Sequence, residues 1–279
     1  MKKTTPIAMF ICHFGTYPWY LPYFINSCKF NPTIDFYIIT DNTNEISNKS
    51  DNIKIVYQTL DSFKELASEK LGFTITNFLG NNKIADFKPA LGFLFSNIIA
   101  SYTFWGYTDL DITFGNIRNF IIEDVLENYN VLSGRHDCIY GKFCLFKNEK
   151  QTNTLFLESR DYKSIFMRPQ RFYFDSCNVV IEAENSILNF SDYIQSITYV
   201  VENALLNNKI KVFFDFLGLS GTAMIKNHIY WDNGILNYKN EFEIMYYEAS
   251  HYYELSKNKN KNSIIPDNFV FDTKSLEMY

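Results

Sequence analysis

Two aspartates separated by one residue, Asp109 and Asp111, have the types and spacing in this chain that best suit chemistry. They directly follow the aromatic, strand-like run of residues 104–108. In an extended chain alternate side chains share a face, so both carboxylates can point to the same place. Close carboxylates at the end of a buried strand repel each other unless a cation joins them, and their hard oxygens suit Mg²⁺ or Mn²⁺. The spacing therefore predicts a divalent metal site beside a phosphorylated ligand, the alternative being a solvated turn.

The elements that must position this pair alternate between strands and helices. We predict strands over residues 7–12, 35–39, 53–57 and 104–108, and helices over residues 20–29, 61–70 and 89–102. Asp61 suits the N-cap of the second helix, and Pro89 suits the first turn of the third. Alternation of this kind indicates a mostly parallel sheet covered by helices. Ligands of such sheets bind at the carboxyl ends of the strands, which is where His13-Phe14-Gly15, Asp41 and the aspartate pair fall.

Beyond residue 130 the pattern predicts a variable α+β half. Strands are expected over residues 143–147 and 211–216, a helix over 191–206, and short strands within 229–247 around a turn at 232–234. The first linker-like stretch is the polar run at residues 256–263. We therefore expect one domain over residues 1–255, followed by a polar link and a C-terminal segment over 256–279.

The composition limits the classes of protein to which the chain can belong. Of its 279 residues, 47% are hydrophobic, which is enough for a large core, and a net charge of −5 argues against a nucleic-acid binder. Its five cysteines form no Cys-x-x-Cys pair, which favours free thiols in a reducing compartment. The apolar run near the N-terminus is too short to span a bilayer and lacks a signal-cleavage site. We expect a cytoplasmic protein with at most peripheral contact at the inner face of the cell membrane.

Four segments of the first half occur in the order that the GT-A type of nucleotide-sugar-binding fold requires, and the chain resembles that fold there: residues 7–15, 36–41, 86–90 and 104–116. More closely, Asp-Phe-Lys-Pro-Ala, then Phe-Trp-Gly-Tyr-x-Asp-Leu-Asp, then Phe-Gly-Asn-Ile-Arg is similar to a group of uncharacterised bacterial glycosyltransferase-like proteins. Proteins of that group are often encoded among genes for surface polysaccharides. The resemblance implies an α/β, GT-A-like fold of Rossmann type with a mostly parallel central sheet. It further implies a nucleotide-sugar-binding half over residues 1–130 and a variable α+β acceptor half over 131–255.

The same resemblance implies a role for each residue around the aspartate pair. Asp111 would be the firmer ligand of Mn²⁺ or Mg²⁺, and Asp109 would reach the ribose or a bound water. Asp41 would accept a hydrogen bond from the base or the ribose. Lys88 would offset phosphate charge and Asp86 would contact the sugar part of the nucleotide; the alternatives are an exposed lysine at a helix start and an N-terminal cap. The activity implied is metal-dependent sugar transfer, with UDP as the favoured nucleotide.

The third metal ligand and the catalytic base are less well defined. Proteins of GT-A type often add a late metal ligand, commonly histidine, and here Glu248 or His251 stands at that place, with His251 slightly favoured. The alternative for either is a surface residue with no ligand. An inverting transferase needs a base for the acceptor proton, and Asp175, which lies in an aromatic segment, is the first candidate with Asp137 in reserve. The sequence does not choose between inversion and retention.

The expected partners are a nucleotide-sugar donor and a glycan or lipid-linked glycan acceptor at the cell surface, and no nucleic acid. Two other functions compete for the same residues. Asp109-Leu110-Asp111-Ile112-Thr113 also matches the nucleophile signature of haloacid-dehalogenase-like phosphatases. That fold places the motif on its first strand and needs a later Gly-Asp, a dipeptide that the chain lacks. A catalytically inactive binder of sugar or nucleotide with the same fold is the non-enzymatic alternative.

Overall fold

The computed structural model describes residues 4–76, 78–177, 179–182, 186–189, 194–215, 217–220, 228–255 and 265–271. The strands in chain order are β1 Ile7–Cys12, β2 Ile34–Thr40, β3 Ile53–Tyr57, β4 Phe104–Thr108, β5 Ile112–Phe114, β6 Val131–Ser133, β7 Phe143–Lys147, β8 Val179–Glu182, β9 Ser186–Asn189, β10 Val212–Phe214, β11 Gly218–Ser220, β12 Ile229–Asp232, β13 Ile235–Tyr238, β14 Phe242–Ile244, β15 Tyr246–Glu248 and β16 Asn268–Phe271.

The helices are mostly short. The α-helices are α1 Leu21–Lys29, α2 Leu60–Leu71, α3 Leu91–Leu94, α4 Glu123–Asn128, α5 Lys150–Asn153, α6 Tyr162–Met167, α7 Ile197–Leu206 and α8 Ser250–Leu255. Four 3₁₀ segments join them: Asn81–Ala90, Ile99–Ser101, Ile117–Asn119 and Leu155–Glu158. Across the residues that the structure describes, no helix combines the length and the apolar character needed to cross a membrane.

The central sheet has seven strands in the order β10-β6-β7-β4-β1-β2-β3. β1 pairs in parallel with β2 and with β4, and β2 pairs in parallel with β3. β7 is antiparallel to both of its neighbours, β4 and β6. The predicted fold class, α/β with a mostly parallel central sheet, is therefore confirmed.

The central strands are apolar on both faces because helices and loops cover both faces of the sheet. Ala8 and Phe10 of β1 belong to one hydrophobic cluster, while Ile7, Met9 and Ile11 belong to another. Alternate residues of one strand thus enter two different cores, as the two-residue period of a strand requires. The sheet thus lies between two hydrophobic cores, and the site residues follow the ends of its strands.

Besides the pair β8-β9, two smaller sheets of the described residues make up much of the second half. One has the order β11-β15-β5 and the other β14-β13-β12-β16. The predicted turn at residues 232–234 joins β12 to β13, with Asn233 at φ 47° and Gly234 at φ 88°. These positive φ angles match the two-residue turn that suits a hairpin. β16 lies in the predicted C-terminal segment and pairs with β12; the domain boundary at residue 255 stays a prediction.

The predicted strands over residues 7–12, 35–39, 53–57, 104–108 and 143–147 are confirmed to within one residue. The predicted strand over 211–216 is shorter, at Val212–Phe214, and the predicted helix over 191–206 is described as α7, which begins after its N-cap Ser196. Residues 191–193 of that helix lie outside the described residues.

Two helical predictions are wrong. The single helix expected over residues 89–102 is instead a 3₁₀ segment that contains Pro89, one turn of α-helix and a second 3₁₀ turn. Gly92 lies against the ring of Trp105, so the backbone follows the sheet closely and does not continue as a regular helix. The N-cap of α2 is Thr59, whose hydroxyl accepts a hydrogen bond from the Ser62 amide, and not Asp61.

Candidate functional site

The carboxyl ends of β1, β2 and β4 meet at one edge of the central sheet. Because β7 runs opposite to β4 and Phe143 pairs with Thr108, the residue before β7 lies beside the residue after β4. Those two residues are Lys142 and Asp109. On the other side, β15 pairs with β5, and the Ala249 amide donates to the Asp111 carbonyl oxygen over 2.9 Å. Backbone pairing alone thus brings three distant parts of the chain together.

Lys142 is the centre of this site. Its Nζ lies 2.7 Å from Asp111 Oδ2, 3.1 Å from Asp109 Oδ2 and 3.9 Å from Glu248 Oε1. The predicted aspartate pair is therefore joined by a cation, and that cation is a side chain of the protein. The hydroxyl of Tyr140 donates to Glu248 Oε2 over 2.6 Å and fixes the third carboxylate.

Lys88 occupies the buried side of Asp109. Its Nζ lies 2.7 Å from Asp109 Oδ1 and 3.6 Å from Asp175 Oδ2, and it donates to the Gly141 carbonyl oxygen over 2.7 Å. The Lys88 side chain is only 5% exposed. It is therefore a buried counter-charge of the aspartate pair and not an exposed lysine at a helix start.

The pKa values of the two aspartates are shifted in opposite directions. Burial raises the pKa of Asp109, but Lys88 and Lys142 more than offset this and hold the pKa below its usual range. Burial also raises the pKa of Asp111, where Lys142 opposes and Asp109 adds to the effect, and the net pKa is raised. Burial lowers the pKa of Lys142, but the carboxylates of Asp109, Asp111 and Glu248 outweigh this and raise it. Lys142 is therefore a permanent cation at neutral pH.

Asp175 lies behind Lys88 in the core of the protein. Its carboxylate is 1% exposed, and Arg171 Nη2 lies 3.1 Å from Asp175 Oδ1. A Cβ on Gly141 would stand 2.5 Å from Asp175 Oδ2, so this close approach requires glycine at position 141. The predicted base is thus brought to the site, paired with Arg171 and Lys88; its catalytic role stays a prediction.

A second buried ion pair supports the segment that carries Asp175. Lys83 Nζ lies 2.9 Å from Asp86 Oδ2, and both side chains are fully buried. The amides of Phe172 and Phe174 donate to the two oxygens of Asp86, each over 2.9 Å. Asp86, for which a nucleotide contact or a helix cap was predicted, holds this segment in place here. Its contact with the nucleotide sugar stays a prediction.

The loop after β1 is tied to the end of β2, as their shared edge predicts. The Gly15 amide donates to Asp41 Oδ1 over 2.6 Å, and Asn42 Nδ2 donates to the Gly15 carbonyl oxygen over 3.0 Å. Gly15 has φ 94°, which favours glycine. Phe14 packs into the core, and His13 Nε2 lies 2.9 Å from the Thr16 carbonyl oxygen. His13, Gly15 and Asp41 remain open to a ligand; their contacts with a donor stay predictions.

Two predictions remain to be placed in the structure: the third metal ligand and the reserve base. Of the candidates for a third metal ligand, Glu248 reaches Lys142, whereas the side chain of His251 lies outside what the structure describes. Asp137 is paired with Arg135, whose Nε and Nη2 donate to it over 2.8 and 2.6 Å. These hydrogen bonds lower the pKa of Asp137 to about 2. A carboxylate of that pKa is a weak proton acceptor near neutral pH.

We tested whether the site suits the divalent ion that the sequence predicts. Its oxygens are of the hard type that Mg²⁺ and Mn²⁺ prefer, and Asp111 Oδ1 is buried without a hydrogen-bond partner. The ammonium of Lys142 lies between the two aspartates. Among the described residues, however, no three His, Cys, Asp or Glu side chains converge closely enough to hold a metal. The oxygens are thus of a type that suits an ion, but as they stand they pair with a lysine and do not form a metal site among the described residues.

Three residues of the site were not predicted as such: Lys142, Tyr140 and Arg171. Lys142 directly precedes the predicted strand over residues 143–147, and this position could have indicated that it lies at an edge of the sheet. Its proximity to Asp109 depends on the antiparallel direction of that strand, and no local pattern encodes direction. Tyr140 and Arg171 lie in irregular segments whose neighbours are set by tertiary packing.

A family model described as "Family of unknown function (DUF6625)" matches residues 9–277 of the chain. A comparison with curated proteins finds no match.

Three solved structures show a distant similarity. One structure of the glycosyltransferase GlyE of Streptococcus pneumoniae TIGR4 is 11% identical with a TM-score of 0.34, over 60% of this chain and 45% of that chain. Its apo form is 14% identical with a TM-score of 0.39, over 77% and 46%. The galactosyltransferase LgtC, in complex with donor and acceptor sugar analogues, is 11% identical with a TM-score of 0.40, over 76% and 75%. The chain spans less than half the length of both GlyE chains, and similarities of this size say nothing about activity.

Proposed function

We propose that this chain, which belongs to the DUF6625 family of unknown function, is a glycosyltransferase that moves a sugar from a nucleotide-sugar, with UDP as the favoured nucleotide, to a cell-surface glycan. The observation that carries the proposal is the placement of Asp109 and Asp111. They end the central parallel strand at the edge where β1 and β2 also end. Ligands of open α/β sheets bind at that edge. The motifs around the pair, which resemble bacterial glycosyltransferase-like proteins, support the same assignment.

The donor would lie along this edge, from the loop after β1 to the aspartate pair. Asp41 and the Gly15 loop are joined by a hydrogen bond and would receive the base and ribose. The two lysines that pair with Asp109 would supply positive charge near the diphosphate. A divalent Mn²⁺ or Mg²⁺ held by Asp111 and Asp109 would stabilise the departing diphosphate when bound.

The acceptor would approach from the half that follows residue 130, and we propose a glycan or lipid-linked glycan at the cytoplasmic face of the membrane. Asp175 and Asp137 are the candidate bases. Asp175 is buried beside Lys88 and is close to the aspartate pair. Asp137 is held by Arg135 in a more exposed loop. A retaining reaction would need neither.

The test is donor binding. Thermal shift with UDP-, GDP- and CMP-sugars in Mn²⁺ should raise the melting temperature for one nucleotide, because a ligand at about 100 times its Kd stabilises the native state by about 2.7 kcal/mol. Calorimetry of that nucleotide with and without a chelator then tests the ion. Asp111→Asn should weaken binding more than Asp109→Asn, and Asp51→Asn, an exposed carboxyl in the turn before β3, serves as the control.

Three results would contradict the proposal. If no nucleotide binds, the proposed donor site does not exist. Hydrolysis of p-nitrophenyl phosphate that depends on Asp109 would point to a phosphatase. Donor binding without either transfer or slow donor hydrolysis would indicate an inactive binding protein.

A further inference from the structure

The two lysines at the aspartate pair are held in different ways. Lys88 is 5% exposed and, besides its carboxylate partners, donates to the backbone carbonyl of Gly141. Lys142 is 26% exposed, and the partners described for its Nζ are the carboxylates of Asp109, Asp111 and Glu248. A buried lysine with a backbone acceptor is fixed in place. A lysine on a flexible four-carbon stem, at the solvent side of the site, can leave it.

The position of the Lys142 ammonium excludes a second cation. It lies 3.1 Å from Asp109 Oδ2 and 2.7 Å from Asp111 Oδ2. An ion that bridges the same two carboxylates would bind their oxygens at about 2.0–2.1 Å if it is Mg²⁺. It would therefore stand within a few ångströms of the ammonium, where like charges repel strongly in a partly buried site.

Charge balance leads to the same conclusion. The carboxyl groups of Asp109, Asp111, Glu248 and Asp175 face the side chains of Lys88, Lys142 and Arg171 through the described ion pairs. The protein thus supplies most of the positive charge that the carboxylates need. Asp111 Oδ1 is the buried oxygen that is left without a hydrogen-bond partner. A divalent ion would therefore bind these carboxylates most tightly when the ammonium of Lys142 is absent from them.

We propose that Lys142 is an exchangeable counter-ion that occupies the position of the divalent ion in the nucleotide-free protein and must leave before that ion binds. This inference rests on the proposed metal site and adds its regulation. Binding of Mn²⁺ to the free protein is therefore weak. The ion enters together with a diphosphate. The displaced ammonium of Lys142 then pairs with the negative charge of that diphosphate.

The experiment measures Mn²⁺ alone, without nucleotide, by calorimetry and by the electron paramagnetic resonance signal of free Mn²⁺. Lys142→Met keeps the length of the side chain and removes its charge. It should bind Mn²⁺ at least about tenfold more tightly than the parent, since couplings between close charge pairs start near that factor. The matched control is Lys209→Met, whose exposed pair with Glu158 lies elsewhere. It should bind as the parent does.

A double variant, Lys142→Met with Asp111→Asn, tests whether the higher Mn²⁺ affinity arises at this site. It should bind Mn²⁺ no more tightly than the parent. Lys142→Gln, checked by circular dichroism and thermal unfolding, replaces Lys142→Met if that protein does not fold. Equal Mn²⁺ affinity of the parent and both Lys142 variants overturns the inference, as does an absence of Mn²⁺ binding in all of them. A gain in Mn²⁺ affinity with no nucleotide binding by the parent supports the inference and refutes the proposed transferase.

Discussion

The buried pair of Lys83 and Asp86 offers the most demanding test of how this site is supported. Both side chains are fully buried, with Lys83 Nζ 2.9 Å from Asp86 Oδ2 and 2.7 Å from the Ile165 carbonyl oxygen. Burial raises the pKa of Asp86 and lowers the pKa of Lys83, and in each case the charge of the partner opposes the shift. Lys83→Met removes one charge and leaves the other without its ionic partner.

Removing one partner of a buried pair costs about 3–5 kcal/mol, because an uncompensated charge remains in the interior. The two amide donors of Phe172 and Phe174 continue to solvate Asp86, which places the expected loss near the lower end of that range. At about 2–4 °C per kcal/mol for a domain of roughly this size, the melting temperature should fall by about 6–12 °C.

The assay is urea unfolding, followed by fluorescence and circular dichroism, together with a thermal melt. Lys209→Met is a suitable control because its pair with Glu158 is also 2.9 Å long but 45% and 36% exposed. Exposed pairs contribute about 0–1 kcal/mol. If Lys83→Met costs no more than Lys209→Met, the buried pair does not support the segment that carries Asp175, and the argument for Asp86 fails.

Three further predictions concern the site itself. Gly141→Ala places a Cβ 2.5 Å from Asp175 Oδ2 and should destabilise the protein by about 1–3 kcal/mol in urea unfolding, while a loss below about 0.5 kcal/mol would show that Asp175 moves aside freely. Since Lys88 and Lys142 hold the pKa of Asp109 below its unfolded value of about 3.9, ionised Asp109 stabilises the fold above that pH and this contribution is lost as the pH falls through the folded pKa. The difference in melting temperature between the parent and Asp109→Asn should therefore shrink below about pH 4, and a constant difference down to about pH 3 would contradict the lowered pKa. If Asp175 is the base, Asp175→Asn should suppress sugar transfer with donor affinity nearly unchanged, whereas Asp137→Asn should transfer at the parent rate; transfer at the parent rate by both variants would point to another base or to a retaining reaction.

The sequence was sufficient for the parts of the fold that have a strong local signal. The apolar runs of β1, β2 and β4 predict buried parallel strands, and their shared carboxyl edge predicts that Gly15 and Asp41 are neighbours, which their hydrogen bond confirms. The position of Asp109 and Asp111 after β4 follows from the same pattern. Each of these conclusions depends on residues that are close in the chain or on the general rule for parallel sheets.

The rest of the site depends on contacts between distant segments. The direction of β7 decides whether Lys142 or Lys147 lies beside Asp109, and both ends of that strand carry a lysine. Asp86 looks like a helix cap in isolation, but its partners Phe172 and Phe174 come from 86 and 88 residues further along. The segment over residues 89–102 is apolar enough for a helix. Because it packs against Trp105, however, its α-helical part is a single turn.

The pairing of β15 with β5 has a consequence for the order in which the protein folds. Asp111 and Ala249 are joined through the backbone, although 138 residues (249 minus 111) separate them in the chain. Because closing so large a loop costs entropy before the contact contributes any stability, we expect this pairing to form late in folding. An intermediate with only the first four strands would expose the two aspartates with neither Lys142 nor Glu248 beside them. During synthesis Asp109 and Asp111 are therefore made after Lys88 but before Lys142 and Glu248, so Lys88 is the first of the two lysines that can neutralise them.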